Sequence, residues 1–394
     1  MTTCDSEETK SSSRDLSVEA VRIIAAFFVI SLHSQLPSVD DGQVLGSRVF
    51  YNMLIGDAVA IFWMVSGFFM FGEMKYTKML KKALTKNIVP TVVILFLTFF
   101  CFDLLNGSAS TLAEAMEKTP EQWRDVLNML LYWTIRPPGG VCPPGTNILW
   151  FLMVYALIIV IWPVLNAFVL RYLKGNNKNQ FVFFVVSFLL LLWNEITENR
   201  ALDFSLNTVN ALIPSAIFVL WGYIIYQHQG AFAKRKWVGF AALATFLILA
   251  LVRAFFGVPA MEASETHTTL IAWWHTPWGM VGATLVIIMC FSFFPQSSDK
   301  AYAKAIGVVG GATMMIYLLH ILVQQFLWGR LGNMPRQFFY PGGSELLESG
   351  FVNYFCYMFV TAGEIFLVAL AVSLLWRGMV RFVKSVAVKI HPLS

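Results

Sequence analysis

Apolar stretches of about 20 residues recur along the chain, with short polar connections between them. A helix needs about that length to cross the hydrocarbon layer of a membrane. Ten segments qualify or nearly so: Val18–Leu36, Val49–Phe71, Ile88–Leu105, Ile148–Leu170 and Phe181–Asn194, then Asn210–Tyr226, Trp237–Val258, Thr268–Phe294, Ala305–Trp328 and Phe351–Trp376. The fifth is short and the eighth long, so their ends are the least defined. The pattern predicts an all-α, polytopic membrane bundle of about ten transmembrane helices.

The connections carry charge in alternation. Lys10 and Arg14 precede the first segment, and Lys75, Lys78, Lys81, Lys82 and Lys86 follow the second. Arg171, Lys174 and Lys178 follow the fourth, Lys234, Arg235 and Lys236 the sixth, Lys300 and Lys304 the eighth, and Arg377, Arg381, Lys384 and Lys389 the tenth. The intervening connections are richer in acid, with Asp40, Asp41, Glu114, Glu117, Glu195, Glu262 and Glu345 among them. Basic loops face the cytoplasm, so both termini are expected there and the span count is even. Composition agrees. Of 394 residues, 57% are hydrophobic and 13% charged, and mean hydropathy is +0.65, whereas about a quarter of a soluble domain is charged. The net charge of +5 matters less than its placement.

Residues 1–16 read as a disordered cytoplasmic tail without the order of a secretory signal, and residues 17–394 as one membrane domain. The outer connection, 106–147, is long. It contains an apolar piece, Val126–Trp133, too short to span but able to lie along the interface, and a Pro/Gly-rich piece, Arg136–Gly145. It is a candidate lid or a plain connector. Of the five cysteines, Cys142 lies in this loop, and no metal-ligand spacing occurs.

Several residues are ones a bilayer penalises. Arg22 and His33 stand 11 residues apart in the first segment. At about 100° per residue they share a face, and at 1.5 Å per residue they are about 16 Å apart along the axis. Each alone reads as a snorkelling arginine or a structural histidine. Together they line one path: a cation near the cytoplasm suited to an anionic ligand, and a histidine deeper in the outer half suited to proton transfer. His320 in the ninth segment falls at a similar height, and Asp57 in the second reaches the same layer. Asp57, Arg253 and Glu364 also read as charges that tie spans together. His275, beside Trp274 and Pro277, reads as interfacial. Ser66 lies nine residues from Asp57, on the opposite side of the helix, and reads as packing.

No nucleotide, hydrolase or zinc-protease motif occurs, and no basic-aromatic face for nucleic acid. The lysines of "KYTKMLKKALTK" (Lys75–Lys86) are explained by topology, or by a polyanionic cytosolic ligand or anionic lipid. A transporter of a polysaccharide precursor or acyl carrier would also need buried charges, but no internal repeat is evident.

Five marks in order resemble the membrane acyltransferase-3 family of bacterial O-acyltransferases. They are "RDLSVEAVR" leading to Arg22 and, ten residues between, His33; "DAVAIFWMVSGFFMFGE" (Asp57–Glu73); "NIVP" (Asn87–Pro90); "NILWFLMVYALIIVIWPVL" (Asn147–Leu165); and "MIYLLH" (Met315–His320). One departure is that Leu84 and Asn87 stand where the family often has an Arg-x-x-Arg pair, with Lys81, Lys82 and Lys86 nearby.

The resemblance implies a multi-pass protein of the bacterial inner membrane that moves an acyl group, most often acetyl, from acetyl-CoA or another acyl-CoA to a hydroxyl of a cell-envelope glycan or its lipid-linked precursor. It implies no permanently bound cofactor and action alone or with a separate envelope protein. His33, Asp57 and His320 are the expected catalytic group, and Arg22, Lys81, Lys82 and Lys86 the expected coenzyme A contacts. Trp150, Tyr317 and Arg253 are expected on the substrate. His33 would act as general base or take the acyl group transiently, with Asp57 or His320 orienting it or stabilising charge.

Overall fold

The computed structural model describes residues 15–34, 38–40, 43–105, 110–111, 113–114, 117, 149–196, 208–233, 235–263, 274–297, 300–340 and 351–390. Most of the candidate lid, with Cys142 and the interfacial piece, and residues 1–14 of the expected tail lie outside them. The helices are α1 (Leu16–Ser34), α2 (Gly46–Ile55), α3 (Ala58–Phe68), α4 (Tyr76–Ala83), α5 (Val89–Leu105), α6 (Leu149–Phe168) and α7 (Asn177–Ile196). They continue with α8 (Thr208–Gln227), α9 (Gln229–Phe232), α10 (Lys236–Ala263), α11 (Pro277–Phe293), α12 (Ala301–Arg330), α13 (Met334–Phe339) and α14 (Phe351–Ile390). Between α1 and α2 lies a short antiparallel pair, β1 (Val39–Asp40) and β2 (Gln43–Val44), with Val39 opposite Val44.

Among the described residues, each of the ten apolar segments read from the sequence contains helix. Six are long and apolar enough to cross a membrane, three shorter apolar helices accompany them, and α5 has 17 residues. The protein is an all-α, multi-pass membrane protein. The outward faces of α7, α10 and α14 agree, because large apolar side chains such as Phe181, Trp237, Phe255 and Leu375 are exposed there, which water would penalise over so large a patch.

Several boundaries differ from expectation. Asp15 and Leu16 belong to the fold and not to a tail. Asp15 Oδ1 accepts from Ser17 N (3.1 Å) and Val18 N (3.3 Å) and so caps α1, while its Oδ2 accepts from Gln229 Nε2 at 2.7 Å. In the described part of the eighth segment the helix starts at Pro277, where the Thr276 hydroxyl accepts from Gly279 N. The tenth runs on as one helix to Ile390. The second segment is two helices, α2 and α3, broken at Gly56–Asp57.

Small residues set the closest packing. A Cβ on Gly67 would overlap the Val219 carbonyl, and one on Gly222 the Met64 backbone, so α3 and α8 touch main chain to main chain. α1 packs against α3, α11, α12 and α14. It is thus the central helix; Arg22 is half-buried among these contacts, and His33, near the far end of α1, is exposed.

Candidate active site

A cavity of about 650 Å³ opens among α1, α3, α4, α5, α6, α12 and α14. Its wall combines cations with aromatic and thioether side chains. Arg22 comes from α1, Lys82 from α4, Lys86 from the wider π-helical turn Leu84–Ile88 that joins α4 to α5, and Arg377 from α14. Glu19 of α1 also lines it, and its Oε1 accepts from Arg22 at 3.0 Å. The Arg22 guanidinium also lies 5.6 Å from the Phe69 ring centre. Arg377 donates to the Gly311 carbonyl. Burial, then the neighbouring charges of Lys86, Arg22 and Lys78, pushes the Lys82 ammonium below its ordinary range. Like charges held this close are costly unless an anion joins them.

Away from these cations the wall becomes aromatic. Tyr155 accepts from Asn87 Nδ2 through its hydroxyl at 2.7 Å. Tyr317 packs between Phe62 and Phe151, with ring centres 5.4 Å and 5.8 Å away. Beyond Tyr317, one turn on along α12, stands His320, its ring 5.8 Å from that of Tyr317. The His33 ring is 5.1 Å further, tilted by 42°. His320 is 1% exposed, whereas His33 is exposed. The carbonyl of His33 accepts from Gln324 Nε2 at 2.9 Å, which ties the end of α1 to α12.

The expected residues therefore divide. Arg22, Lys82, Lys86 and Tyr317 share one cavity, and His33 and His320 form a pair behind it. Lys81 is exposed and does not line the cavity, because it lies on another side of α4 from Lys82. Asp57 is held by Arg253. Its carboxylate is fully buried, and Arg253 Nη1 bonds both of its oxygens at 2.9 Å and 3.1 Å. A Cβ on Gly282 would strike this carboxylate. Asp57 and Arg253 thus tie α3 to α10, and neither lines the cavity. Trp150 stacks on Trp274, with ring centres 5.9 Å apart, and stands next to the wall residue Phe151. Ser66 lines the cavity, and its hydroxyl donates to the Phe62 carbonyl at 2.9 Å. His275, expected at an interface, is buried. Glu364 is half-buried on α14.

Sequence reasoning missed Glu19, Tyr155 and Arg377. The first had a signal, an acid three residues before an arginine on one helix face. Arg377 had none, because a cation after an apolar segment reads first as a topology marker.

Chemically, one end of the cavity can hold a polyanion, its aromatic end can take a slender apolar group, and an imidazole pair lies behind. Nothing matches the chain among curated proteins or among solved structures. The family model described as an acyltransferase domain matches residues 15–376, from the aspartate that caps α1 to the residue before Arg377. With nearly the whole chain covered, the protein belongs to the acyltransferase 3 family.

Proposed function

We propose that the protein transfers an acyl group, with acetyl the first candidate, from cytosolic acyl-CoA to a hydroxyl of a cell-envelope glycan or its lipid-linked precursor. In this reading it sits in a bacterial inner membrane with ten spans and both termini cytoplasmic. The observation that carries the reading is the cavity, cationic at Arg22, Lys82, Lys86 and Arg377 and aromatic at Tyr317, with His320 and His33 behind.

Length supports it. The pantetheine arm of coenzyme A has about 13 bonds between sulfur and the first phosphorus. An extended chain advances about 1.2 Å per bond, so the arm spans about 16 Å. The rise of α1 between Arg22 and His33 is also about 16 Å. A donor whose diphosphate meets Arg22 brings its thioester to the histidine pair.

The steps follow. The cations hold the phosphates, and the Tyr317 hydroxyl donates to the thioester carbonyl as it gains charge. The acceptor hydroxyl arrives on the exposed side of His33, whose imidazole takes its proton. The hydroxyl oxygen bonds to the carbonyl carbon, the carbon–sulfur bond breaks, and the imidazolium returns the proton to the leaving thiolate. Asp57, held by Arg253, takes no part.

The test is equilibrium binding of labelled acetyl-CoA to the protein in lipid nanodiscs. Binding that weakens at least about tenfold in Lys82→Gln/Lys86→Gln supports the reading, since each charged hydrogen bond contributes about 1.5–3 kcal/mol. A protein that binds no acetyl-CoA, or binds it equally well without these lysines, refutes it.

A further inference from the structure

We infer that His320 is a positioning residue that fixes the tautomer of His33. The inference rests on the acyl-transfer reading above and concerns how its base is prepared.

The argument starts from one hydrogen bond. His320 Nδ1 faces the Tyr317 carbonyl. A carbonyl only accepts, so Nδ1 carries the proton and Nε2 holds a lone pair. This Nε2 is buried and has no hydrogen-bond partner. Buried polar atoms without partners are rare and call for an explanation. The neighbouring ring is that of His33, with its centre 5.1 Å away. Two imidazoles bonded edge to edge need an N···N distance of about 2.9 Å, and the ring centres already stand at a separation that allows it. His320 Nε2 makes no such bond with the His33 ring as it stands, tilted by 42°. Histidine χ2 is a broad torsion, and His33 is exposed, so its ring can turn. Its backbone is held meanwhile by Gln324.

With the ring turned, one His33 nitrogen donates its proton to His320 Nε2. The other nitrogen must then carry the lone pair, aimed away from His320 toward the exposed side. Only that tautomer can accept a proton from an arriving hydroxyl. The carbonyl that fixes His320 belongs to Tyr317, whose side chain lines the donor cavity. One turn of α12 therefore connects the donor's thioester to the protonation of the base.

Two substitutions separate this from a packing role. His320→Asn keeps a donor for the Tyr317 carbonyl but offers nothing at the place of Nε2. His320→Gln can present an acceptor oxygen there. Both are compared with wild type and His33→Ala in membrane vesicles, reading free coenzyme A released from acetyl-CoA. The expected result is a kcat lower by about 10–100-fold in His320→Asn, the usual cost of losing an orienting partner. The acetyl-CoA KM stays within about twofold, and His320→Gln recovers part of the lost rate. Three results would overturn the inference: wild-type kcat in both variants, equal loss in both, or a His320→Asn variant as inactive as His33→Ala. The last would make His320 the base itself. If the wild-type protein releases no coenzyme A, it is the acyl-transfer reading that fails.

Discussion

Arg253→Met should destabilise the protein severely, and adding Asp57→Asn should restore it. The ion pair is among the most enclosed features of the bundle, with side chains 2% and 0% exposed and a 2.9 Å bond. Removing one partner of a buried pair leaves an uncompensated charge and costs about 3–5 kcal/mol. Glu195, which feels the charge of Arg253 and accepts from Trp278 Nε1 at 3.0 Å, would also lose that cation. Against a typical total of about 5–15 kcal/mol, the single variant retains little margin. Neutral replacement of both partners is often close to neutral, and asparagine keeps the shape that fits against Gly282. If the two positions were independent, the double variant would lose about 6–10 kcal/mol, the sum of the single costs. The structure requires far less. The assay is the midpoint of SDS-induced unfolding in bicelles for the two single variants and the double, with acetyl transfer measured on each stable protein. A double variant as unstable as the sum of the singles would refute the coupling. A stable double variant that transfers nothing would place Asp57 or Arg253 in the chemistry.

Other outcomes follow from the cavity and the packing. Because burial and neighbouring cations lower the affinity of Lys82 for its proton, its charge is lost at a lower pH than for an ordinary lysine. Acyl-CoA binding should therefore weaken as pH rises from about 7 to about 10, and Lys82→Arg, which stays charged, should flatten that decline. An unchanged decline in the variant would contradict this. Arg377→Gln should raise the acetyl-CoA KM about tenfold or more with kcat unchanged, since a charged hydrogen bond contributes about 1.5–3 kcal/mol. A fall in kcat at constant KM would place Arg377 elsewhere in the mechanism. Gly222→Ala should lower the thermal-inactivation midpoint in detergent, because its Cβ overlaps the Met64 backbone and overpacking costs about 1–3 kcal/mol. Wild-type stability would show that α3 and α8 can part.

Much of the bundle was legible because a membrane imposes one simple pattern. About 20 apolar residues bounded by charge mark a helix whatever its neighbours are, and among the described residues each of the ten stretches contains helix. The helical period placed Arg22 and His33 on one face, and counting the rise placed His320 near the height of His33. What the sequence did not show depended on contacts between distant positions. Asp57 and Arg253 lie 196 residues apart, and no local pattern distinguishes a carboxylate that orients a histidine from one that closes a buried ion pair. The break at Gly56–Asp57 was likewise hidden, because both halves are apolar and read as one span. Arg377 entered the cavity because α14 continues past Trp376 without interruption, where the change to charged residues had suggested an end. Two signals were present and unused: Thr276 before Pro277, a helix-start pair, and Glu19 three residues before Arg22.

The central claim is that an acyl group passes from a cytosolic thioester to an envelope hydroxyl at His33. The most direct measurement is transfer of labelled acetyl from acetyl-CoA to envelope glycan in membranes that hold wild-type protein or His33→Ala at matched levels. The account predicts labelled glycan with wild type and none with the variant. Equal labelling by both would contradict it, leaving His33 as a structural residue of α1.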